Sequence, residues 1–163
     1  MYEPCPCGHL GDPRHACTCL SPLIERYRSR ISGPLLDRID LHLELPAISL
    51  HELRAPPGES SAAIAWRIES AREVQLTRFG PASPTPVNAA MTPGELRRHC
   101  RLDATSQRLL DEAFQKLGLS VRALDRILKV ARTIADLEAA ANLRATHLAE
   151  AIQYRALDRR LSG

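Results

Sequence analysis

Four of the five cysteines crowd into the first 19 residues of the chain, as Cys5, Cys7, Cys17 and Cys19. Thiolates are preferred ligands of Zn²⁺, and two closely spaced pairs that close a nine-residue loop supply the four donors of a tetrahedral structural site. Each pair has the spacing C-x-C, which is one residue shorter than the commoner C-x₂-C. The pattern therefore leaves two interpretations open, a zinc site or four free reduced thiols.

The remaining cysteine and the histidines carry weaker signals. His9 and His15 lie in the same loop and are substitute ligands for the same ion. Cys100 falls inside a predicted helix, where a lone thiol is more often a small core residue. His42 alternates with the apolar positions of a predicted strand, so we expect it on the solvent face. No role is assigned to any histidine outside the cysteine loop.

Motifs that bind nucleotide phosphates or activate a nucleophile are absent from the sequence. The eight glycines form no G-x-x-x-x-G-K-[ST], no G-x-G-x-x-G and no G-x-S-x-G, and there is no H-E-x-x-H. The chain therefore has no phosphate cradle of its own, and we do not expect a self-contained enzyme.

Composition favours a helical protein and says little about partners. Hydrophobic residues make up 44% of the chain and aromatic residues only 4%, a balance typical of helices packed through aliphatic side chains. The 22 basic and 19 acidic residues are too evenly matched to predict a nucleic-acid surface. No apolar run is long enough to span a bilayer, and the first residues lack the pattern of a signal peptide, so the expected location is the cytoplasm.

The first third of the chain contains a predicted helix and a predicted strand. Apolar residues recur at helical spacing over residues 20–31, with Ser21 and Pro22 suited to the start of the helix. Apolar residues then alternate with polar ones from Ile39 to Leu45, which predicts one half-buried strand. A lone strand is unstable in water, so this one must join a sheet formed by residues outside this chain.

The rest of the chain predicts helices. One helix runs from a cap at Ser60 or Ser61 to about Arg78, and residues 80–91 are a Pro-, Ser- and Ala-rich flexible connection.

Four short helices follow over residues 92–157. Thr92 and Glu95 have the spacing of a capping box, Gly118 ends a helix, and Ser120 caps the longest one, from 121 to about 139. The predicted fold is mainly α: a helical bundle preceded by an incomplete piece of α/β core with one strand.

Several segments of the sequence, in this order and at these spacings, resemble a known family. They are CPCG, CTC, SGPLLDRIDLHLELP, GESSAAI, AREVQ, ELRRHCRLD, SVRALDRILKVARTIADLEAA and HLAEAIQYR. Together they resemble the C-terminal half of magnesium-chelatase-like AAA+ ATPases of the ComM and YifB type, bacterial proteins linked to DNA uptake and branch migration. The resemblance runs from about Pro4 to Arg155. It implies that the helical bundle is a AAA+ lid and that the preceding piece belongs to the AAA+ core.

The resemblance implies a role for the arginine of the segment LLDRID. In the family this segment lies at the subunit interface, and its arginine, here Arg38, reaches the nucleotide of the next subunit in trans. A guanidinium at the γ-phosphate stabilises the charge of phosphoryl transfer. The alternative is a surface arginine paired with Asp37 or Asp40.

The resemblance also implies a phosphate-sensing arginine, called sensor 2, near the start of the longest helix. The string SVRALDRIL places Arg122 there, with Arg126 one turn later, and both would bind ATP phosphates of the same subunit. The alternative is that both arginines solvate the outer face of the helix, with Arg126 paired with Asp125 or Glu112.

One departure from the family concerns its first sensor residue. Relatives have an asparagine directly before PCPCG, where this chain has Glu3, and an ionised carboxylate cannot donate to phosphate. That role is therefore not transferred.

The interpretation that follows is a C-terminal fragment of a magnesium-chelatase-like ATPase. We expect a partial AAA+ core segment at 1–55, a helix and linker at 56–91, and a helical lid at 92–157. The resemblance implies ATP with Mg²⁺ as cofactor, a homo-oligomeric ring, DNA as a partner, and ATP hydrolysis coupled to DNA remodelling in competence or recombination. The chain alone is expected to be inactive.

Two other interpretations remain open. The chain could be a non-catalytic, zinc-stapled helical module that binds DNA or a full-length ATPase. It could also be the relic of a broken gene, folded in the lid and disordered before it.

Overall fold

The structure, a computed structural model, describes most of the chain. The described residues are 3–36, 38–43, 45–46, 48–81 and 83–155. The protein is mainly helical, as the sequence predicts. Its elements in chain order are α1 (Ser21–Arg28), α2 (Gly33–Leu36), α3 (Leu50–Leu53), α4 (Ser61–Phe79), a 3₁₀ turn (Asn88–Ala90), α5 (Pro93–His99), α6 (Ala104–Leu117), α7 (Val121–Leu137) and α8 (Ala145–Gln153).

Helices α5 to α8 enclose the hydrophobic core. Helix α7 contacts α4, the 3₁₀ turn, α5 and α8, and is the central element. Ile127 of α7 and Leu148 of α8 are at most 1% exposed, and burial of each such side chain contributes about 1.5–3 kcal/mol. The other buried core residues are Met91, Leu96, Cys100, Leu110, Ala113, Leu119, Ala123, Ala131, Ile134, Ala135, Leu143 and Ala151.

The helix boundaries of the bundle follow from local capping. The Thr92 hydroxyl accepts from the Glu95 N–H, and the Glu95 carboxylate accepts from the Thr92 N–H in return. Gly118 ends α6 with a left-handed φ of 60°, and the Ser120 hydroxyl accepts the N–H of Ala123 at the start of α7. These predicted caps are confirmed. The last two residues of the predicted lid, 156–157, lie outside the described residues.

Helix α4 packs on the bundle through its C-terminal half only. Ala71 and Gln75 are buried, whereas Trp66, nearer the start, is 69% exposed. Arg78 at the end of α4 donates two hydrogen bonds to the buried carboxylate of Asp136 on α7, at 2.5 and 2.7 Å. One end of α4 is therefore fixed to the lid.

The connection after α4 buries more than the sequence suggests. Asn88 is 1% exposed and donates through Nδ2 to Asp136 at 2.7 Å and to Thr133 at 3.1 Å. Met91 is 4% exposed and belongs to the core. The end of this segment is therefore part of the packed lid.

The predicted strand from Ile39 to Leu45 is wrong for the described part of that segment. Glu44 lies outside the described residues, and residues 39–43 and 45–46 form no strand. The four apolar side chains that should have faced a core are exposed: Ile39 by 40%, Leu41 by 48%, Leu43 by 65% and Leu45 by 80%.

Contacts with the end of α8 explain this inverted pattern. The His42 N–H donates to the carbonyl oxygen of Tyr154 at 2.7 Å, and Arg155 donates to the carbonyl oxygen of Ile39 at 2.5 Å. Backbone groups that a sheet partner would bind are thus bound by Tyr154 and Arg155, the two residues that follow α8. His42, expected on the solvent face, is consequently buried and only 7% exposed.

Residues 3–20 form turns and loop ahead of α1. Arg28 of α1 donates through Nε to the carbonyl oxygen of Pro4 at 3.1 Å, which holds the start of this loop against the helix. Among the described residues, no helix is both long enough and apolar enough to cross a membrane.

Candidate functional site

The segment that carries Arg38 lies against the lid. Arg126 on α7 donates through Nη1 to the carbonyl oxygen of Arg38 at 3.0 Å, and the same nitrogen forms an ion pair with Asp40. The side chains of Arg126 and Asp40 are 29% and 46% exposed. Two of the three predicted arginines therefore lie together, because the side chain of Arg126 contacts the backbone of Arg38.

The guanidinium groups of Arg38 and Arg122 belong to exposed residues. Arg122 lies one turn before Arg126 on α7, so both project near the start of this helix. The Ser120 hydroxyl already accepts the Ala123 N–H at 3.1 Å. One N–H group of the first turn of α7 is therefore already bound, and the arginine side chains supply the charge that a phosphate at this end would meet.

The observed ion pairs differ from those considered from the sequence. Asp40, a predicted partner of Arg38, binds Arg126 instead. Asp37, the other predicted partner, lies outside the described residues. Glu112, considered as a partner for Arg126, binds Lys116 of its own helix at 2.9 Å.

The four N-terminal cysteines converge. The sulfur of Cys5 lies 3.4 Å from that of Cys7 and 3.6 Å from that of Cys17, and the Cys7 and Cys17 sulfurs are 3.6 Å apart. All four sulfurs, including that of Cys19, lie within 4.8 Å of one another. Cys5 is fully buried, so one side of this cluster is shielded from solvent.

The cysteine thiols of this cluster differ in their pKa values. Backbone N–H groups of His9 and Thr18 point at the Cys7 sulfur and lower the pKa of Cys7 to about 6. The Cys19 N–H favours the Cys17 thiolate, but burial and the neighbouring thiols outweigh it and raise the pKa of Cys17 to about 12. Burial likewise raises the pKa of Cys19. One thiolate is favoured here, and further negative charge is resisted unless a cation shares the cluster.

The two loop histidines form a separate group. His15 Nδ1 lies 3.0 Å and His9 Nδ1 3.6 Å from Oδ2 of Asp12. The Arg14 N–H, followed by His15, lowers the pKa of Asp12 to about 2. The histidines therefore pair with Asp12 and are not members of the thiol cluster.

Cys100 is a core residue, as predicted. It is 5% exposed, its thiol lies 3.8 Å from the carbonyl oxygen of Leu128, and burial raises its pKa to about 11. A protonated thiol in this position is a poor nucleophile and a poor metal ligand.

Sequence analysis missed a buried polar network inside the lid. Asp136 accepts from Arg78, Arg132 and Asn88, and Arg132 also donates to the carbonyl oxygens of Ala140 and Ala141. Arg132 and Asp136 are each 3% exposed. Their i, i+4 spacing beside the apolar stripe of α7 was the available signal, because a charged pair beside such a stripe is buried together or not at all.

His147 was also missed. It is fully buried at the start of α8, where Nδ1 accepts the Arg144 N–H at 3.1 Å and Nε2 lies 3.1 Å from the Glu138 carboxylate. It acts as a helix cap that is built from an imidazole ring.

Comparisons with known proteins place the chain in one family. Residues 58–155 match the family described as magnesium chelatase, subunit ChlI C-terminal, and residues 1–53 match magnesium chelatase, subunit ChlI. Uncharacterized protein YifB of Escherichia coli (strain K12) is 42% identical over 161 residues, which cover 98% of this chain and 30% of that protein. Competence protein ComM of Haemophilus influenzae is 41% identical with the same coverage.

A more distant relative extends the pattern to another bacterial group. Uncharacterized protein Rv2897c of Mycobacterium tuberculosis is 33% identical over 153 residues, which cover 94% of this chain and 30% of that protein. The chain thus spans less than a third of the length of these curated relatives. The resemblance found from the motifs is confirmed, and the chain belongs to the magnesium chelatase ChlI family.

Proposed function

We propose that this chain supplies arginine side chains to ATP hydrolysis by a ring of magnesium-chelatase-like subunits, in which the hydrolysis drives DNA remodelling. The proposal is based on the two contacts of Arg126 with the segment around Arg38. Arg126 donates to the carbonyl oxygen of Arg38 and forms an ion pair with Asp40. These contacts fix the backbone of Arg38 to the lid, while Arg38 itself is exposed.

Arg38 is assigned the trans-acting role. A guanidinium stabilises the charge on the transferred phosphoryl group best when it is already oriented, because orientation then costs little at the moment of reaction. The carbonyl of Arg38 is bound by Arg126 and the next carbonyl, that of Ile39, is bound by Arg155. The backbone that presents the guanidinium is therefore held at two successive carbonyl groups.

Arg122 and Arg126 are assigned to ATP phosphates of the lid's own subunit. Arg122 is exposed, so a phosphate could bind it directly. Binding at Arg122 would leave the ion pair between Arg126 and Asp40 intact. A phosphate bound by Arg126 would compete with Asp40. That competition would connect the nucleotide state to the position of the Arg38 segment, which is the coupling that an ATP-driven machine requires.

The residues of this chain do not form an ATP–Mg²⁺ site by themselves. The sequence has no phosphate-binding loop, and at the start of α7 the Ser120 hydroxyl takes the Ala123 N–H. The nucleotide must be held by other residues of the ring. We expect the isolated chain to bind ATP with a Kd of about 1 mM or weaker, on the scale of a few phosphate contacts.

The biological task is proposed from the relatives. The Haemophilus influenzae relative is named a competence protein. The family resemblance implies DNA as a partner, and we assign DNA to this chain on that ground. The net charge of +3 neither requires nor opposes DNA binding. A gel-shift titration at increasing salt tests this part, since binding through phosphates weakens steeply with salt.

The ATPase role is tested in a chimera in which this chain replaces the matching segment of full-length Haemophilus influenzae ComM. Arg38→Ala should reduce kcat by about 10³-fold or more, as expected for loss of an arginine finger. Arg108→Ala, a change of the same charge at an exposed residue of α6, should leave kcat within about twofold.

Mixed rings then distinguish action in trans. Arg38→Ala subunits are combined with subunits whose phosphate-binding lysine is removed, so that each kind is inactive alone. Recovery of ATP turnover on mixing is the expected result. Full activity of Arg38→Ala, or no recovery on mixing, would contradict the proposed role.

A further inference from the structure

The thiol cluster has the dimensions of a metal site. Four sulfurs placed tetrahedrally about 2.3 Å from a central Zn²⁺ are separated by about 3.8 Å. The separations among Cys5, Cys7 and Cys17 are 3.4, 3.6 and 3.6 Å, and Cys19 completes the group within 4.8 Å. The sulfurs therefore already surround a point that one such ion would fill.

A shared ion explains this arrangement better than disulfides do. A disulfide joins sulfurs two at a time, whereas here three sulfurs are almost equally spaced and each one faces the other two. The five cysteines are all unbridged. Reduced thiols without an ion have no attraction strong enough to hold four of them together, because an S–H group is a weak donor and sulfur a weak acceptor.

The loop has little else to order it. Within residues 3–20 only Cys5 is buried, and no residue of this stretch belongs to the hydrophobic core of the lid. The loop also contains no helix or strand. Conformational entropy opposes such a conformation by about 1–2 kcal/mol per residue, so a strong local crosslink is required.

We propose that Cys5, Cys7, Cys17 and Cys19 bind one Zn²⁺ in a closed structural site. All four positions of the ion are taken by protein sulfurs, so the site has no open position for catalysis. The ion pins the loop to α1, since Arg28 binds the carbonyl oxygen of Pro4 next to Cys5, and α1 begins directly after Cys19 and Leu20. This inference does not depend on the proposed ATPase role.

The test measures metal in the reduced, purified full chain. Elemental analysis after dialysis should give one zinc per chain. Co²⁺ added to the metal-free chain should show the visible bands of a tetrahedral site together with strong thiolate charge-transfer absorption in the ultraviolet. Absence of stoichiometric metal, or cobalt spectra of an octahedral site, would overturn the proposal.

Matched variants identify the ligands. Cys17→Ser should abolish stoichiometric zinc and the charge-transfer bands, whereas the double change His9→Ala with His15→Ala should retain both. Cys100→Ser should also retain zinc, because Cys100 lies in the core of the lid. The reverse pattern, with metal lost in the histidine variant and kept in Cys17→Ser, would assign any bound ion to the Asp12 group instead.

A second measurement keeps the test decisive if Cys17→Ser misfolds. In the unaltered chain, the zinc-loaded form should protect four thiols from alkylation, and a strong chelator should expose all four. Equal alkylation with and without chelator would refute the site. Mass spectrometry of the same samples would also reveal a disulfide, which would refute it as well.

Discussion

Arg126 and Asp40 form an ion pair across 86 positions of the chain, and this pair joins the central lid helix α7 to the loop that follows α2. The same guanidinium binds the Arg38 carbonyl at 3.0 Å. Both side chains are partly exposed, so the pair contributes at most about 1 kcal/mol. Its importance lies in orientation, because it decides where the backbone of Arg38 is held.

Breaking this pair should loosen the segment without unfolding the lid. Asp40→Asn removes the charge, and we expect amide exchange at His42, whose N–H is bound to Tyr154, to become about 2–5-fold faster. Exchange within α7 should not change. Glu112→Gln, which breaks the exposed pair with Lys116, is the matched control and should leave His42 unaffected. An unaltered His42 rate in Asp40→Asn would show that the pair does not hold the segment.

The buried network of the lid predicts a much larger effect. Asp136→Ala leaves Arg78 and Arg132 without their shared carboxylate in the interior, and we expect a loss of about 3–5 kcal/mol in the free energy of unfolding. Urea unfolding followed by circular dichroism measures this loss. Glu112→Ala at the exposed pair should cost about 0.5 kcal/mol or less. Comparable small losses in both variants would mean that the network contributes little.

Gly118 occupies a backbone conformation that favours glycine. Its φ of 60° lies in the left-handed region, so Gly118→Ala should destabilise the lid by about 1–2 kcal/mol, although the added methyl group would meet no atom within 4 Å. Gly58→Ala also adds a methyl group to open space, but Gly58 does not have a left-handed φ. Denaturant unfolding should therefore show no loss for Gly58→Ala. Equal stability of the two variants would remove backbone strain as the reason for Gly118.

The capping box of α5 predicts a dependence of stability on pH. The N–H and the hydroxyl of Thr92 both donate hydrogen bonds to the Glu95 carboxylate. These bonds lower the pKa of Glu95 below its ordinary value of 4.5. The ionised form is therefore favoured in the folded state. Its stabilisation is complete above pH 4.5 and is lost as the pH falls through the lowered pKa of the folded state.

Glu95→Gln provides the comparison for this dependence. The variant should be less stable than the parent at pH 7. It should approach the parent as the pH falls below the lowered pKa of Glu95 in the folded state, because the carboxylate is then protonated in both states. Thermal unfolding across this pH range measures the difference. A constant difference between the two proteins would contradict the assigned cause.

Local features of the fold were predictable from the sequence because their causes are local. The Thr92 and Glu95 capping box, the terminal Gly118 and the Ser120 cap each depend on residues within one helical turn. The apolar stripe of α7 likewise depends on periodicity alone. The convergence of the two cysteine pairs was anticipated from spacing, although the pattern did not separate the thiols from His9 and His15.

Features that depend on distant partners were not predictable in this way. Alternation at residues 39–45 is a sound strand signal, but a strand needs a neighbouring strand, and the described segment binds the end of α8 instead. His42 is buried for this reason. The partner of Arg126 was likewise sought at Asp125 or Glu112, but it is Asp40, which lies 86 residues away in sequence.

By itself, the sequence determined the family and the helix caps, because these follow from the order of the motifs and from short spacing. The arginines implied by the family resemblance and the cysteines singled out by their spacing remain predictions. Only the tertiary structure decided that Asp40 binds Arg126, that Asp136 gathers two arginines in the interior, and that the four sulfurs meet around one point. Such contacts join residues far apart in the chain, and their geometry is set by how the helices pack rather than by any local preference of the backbone.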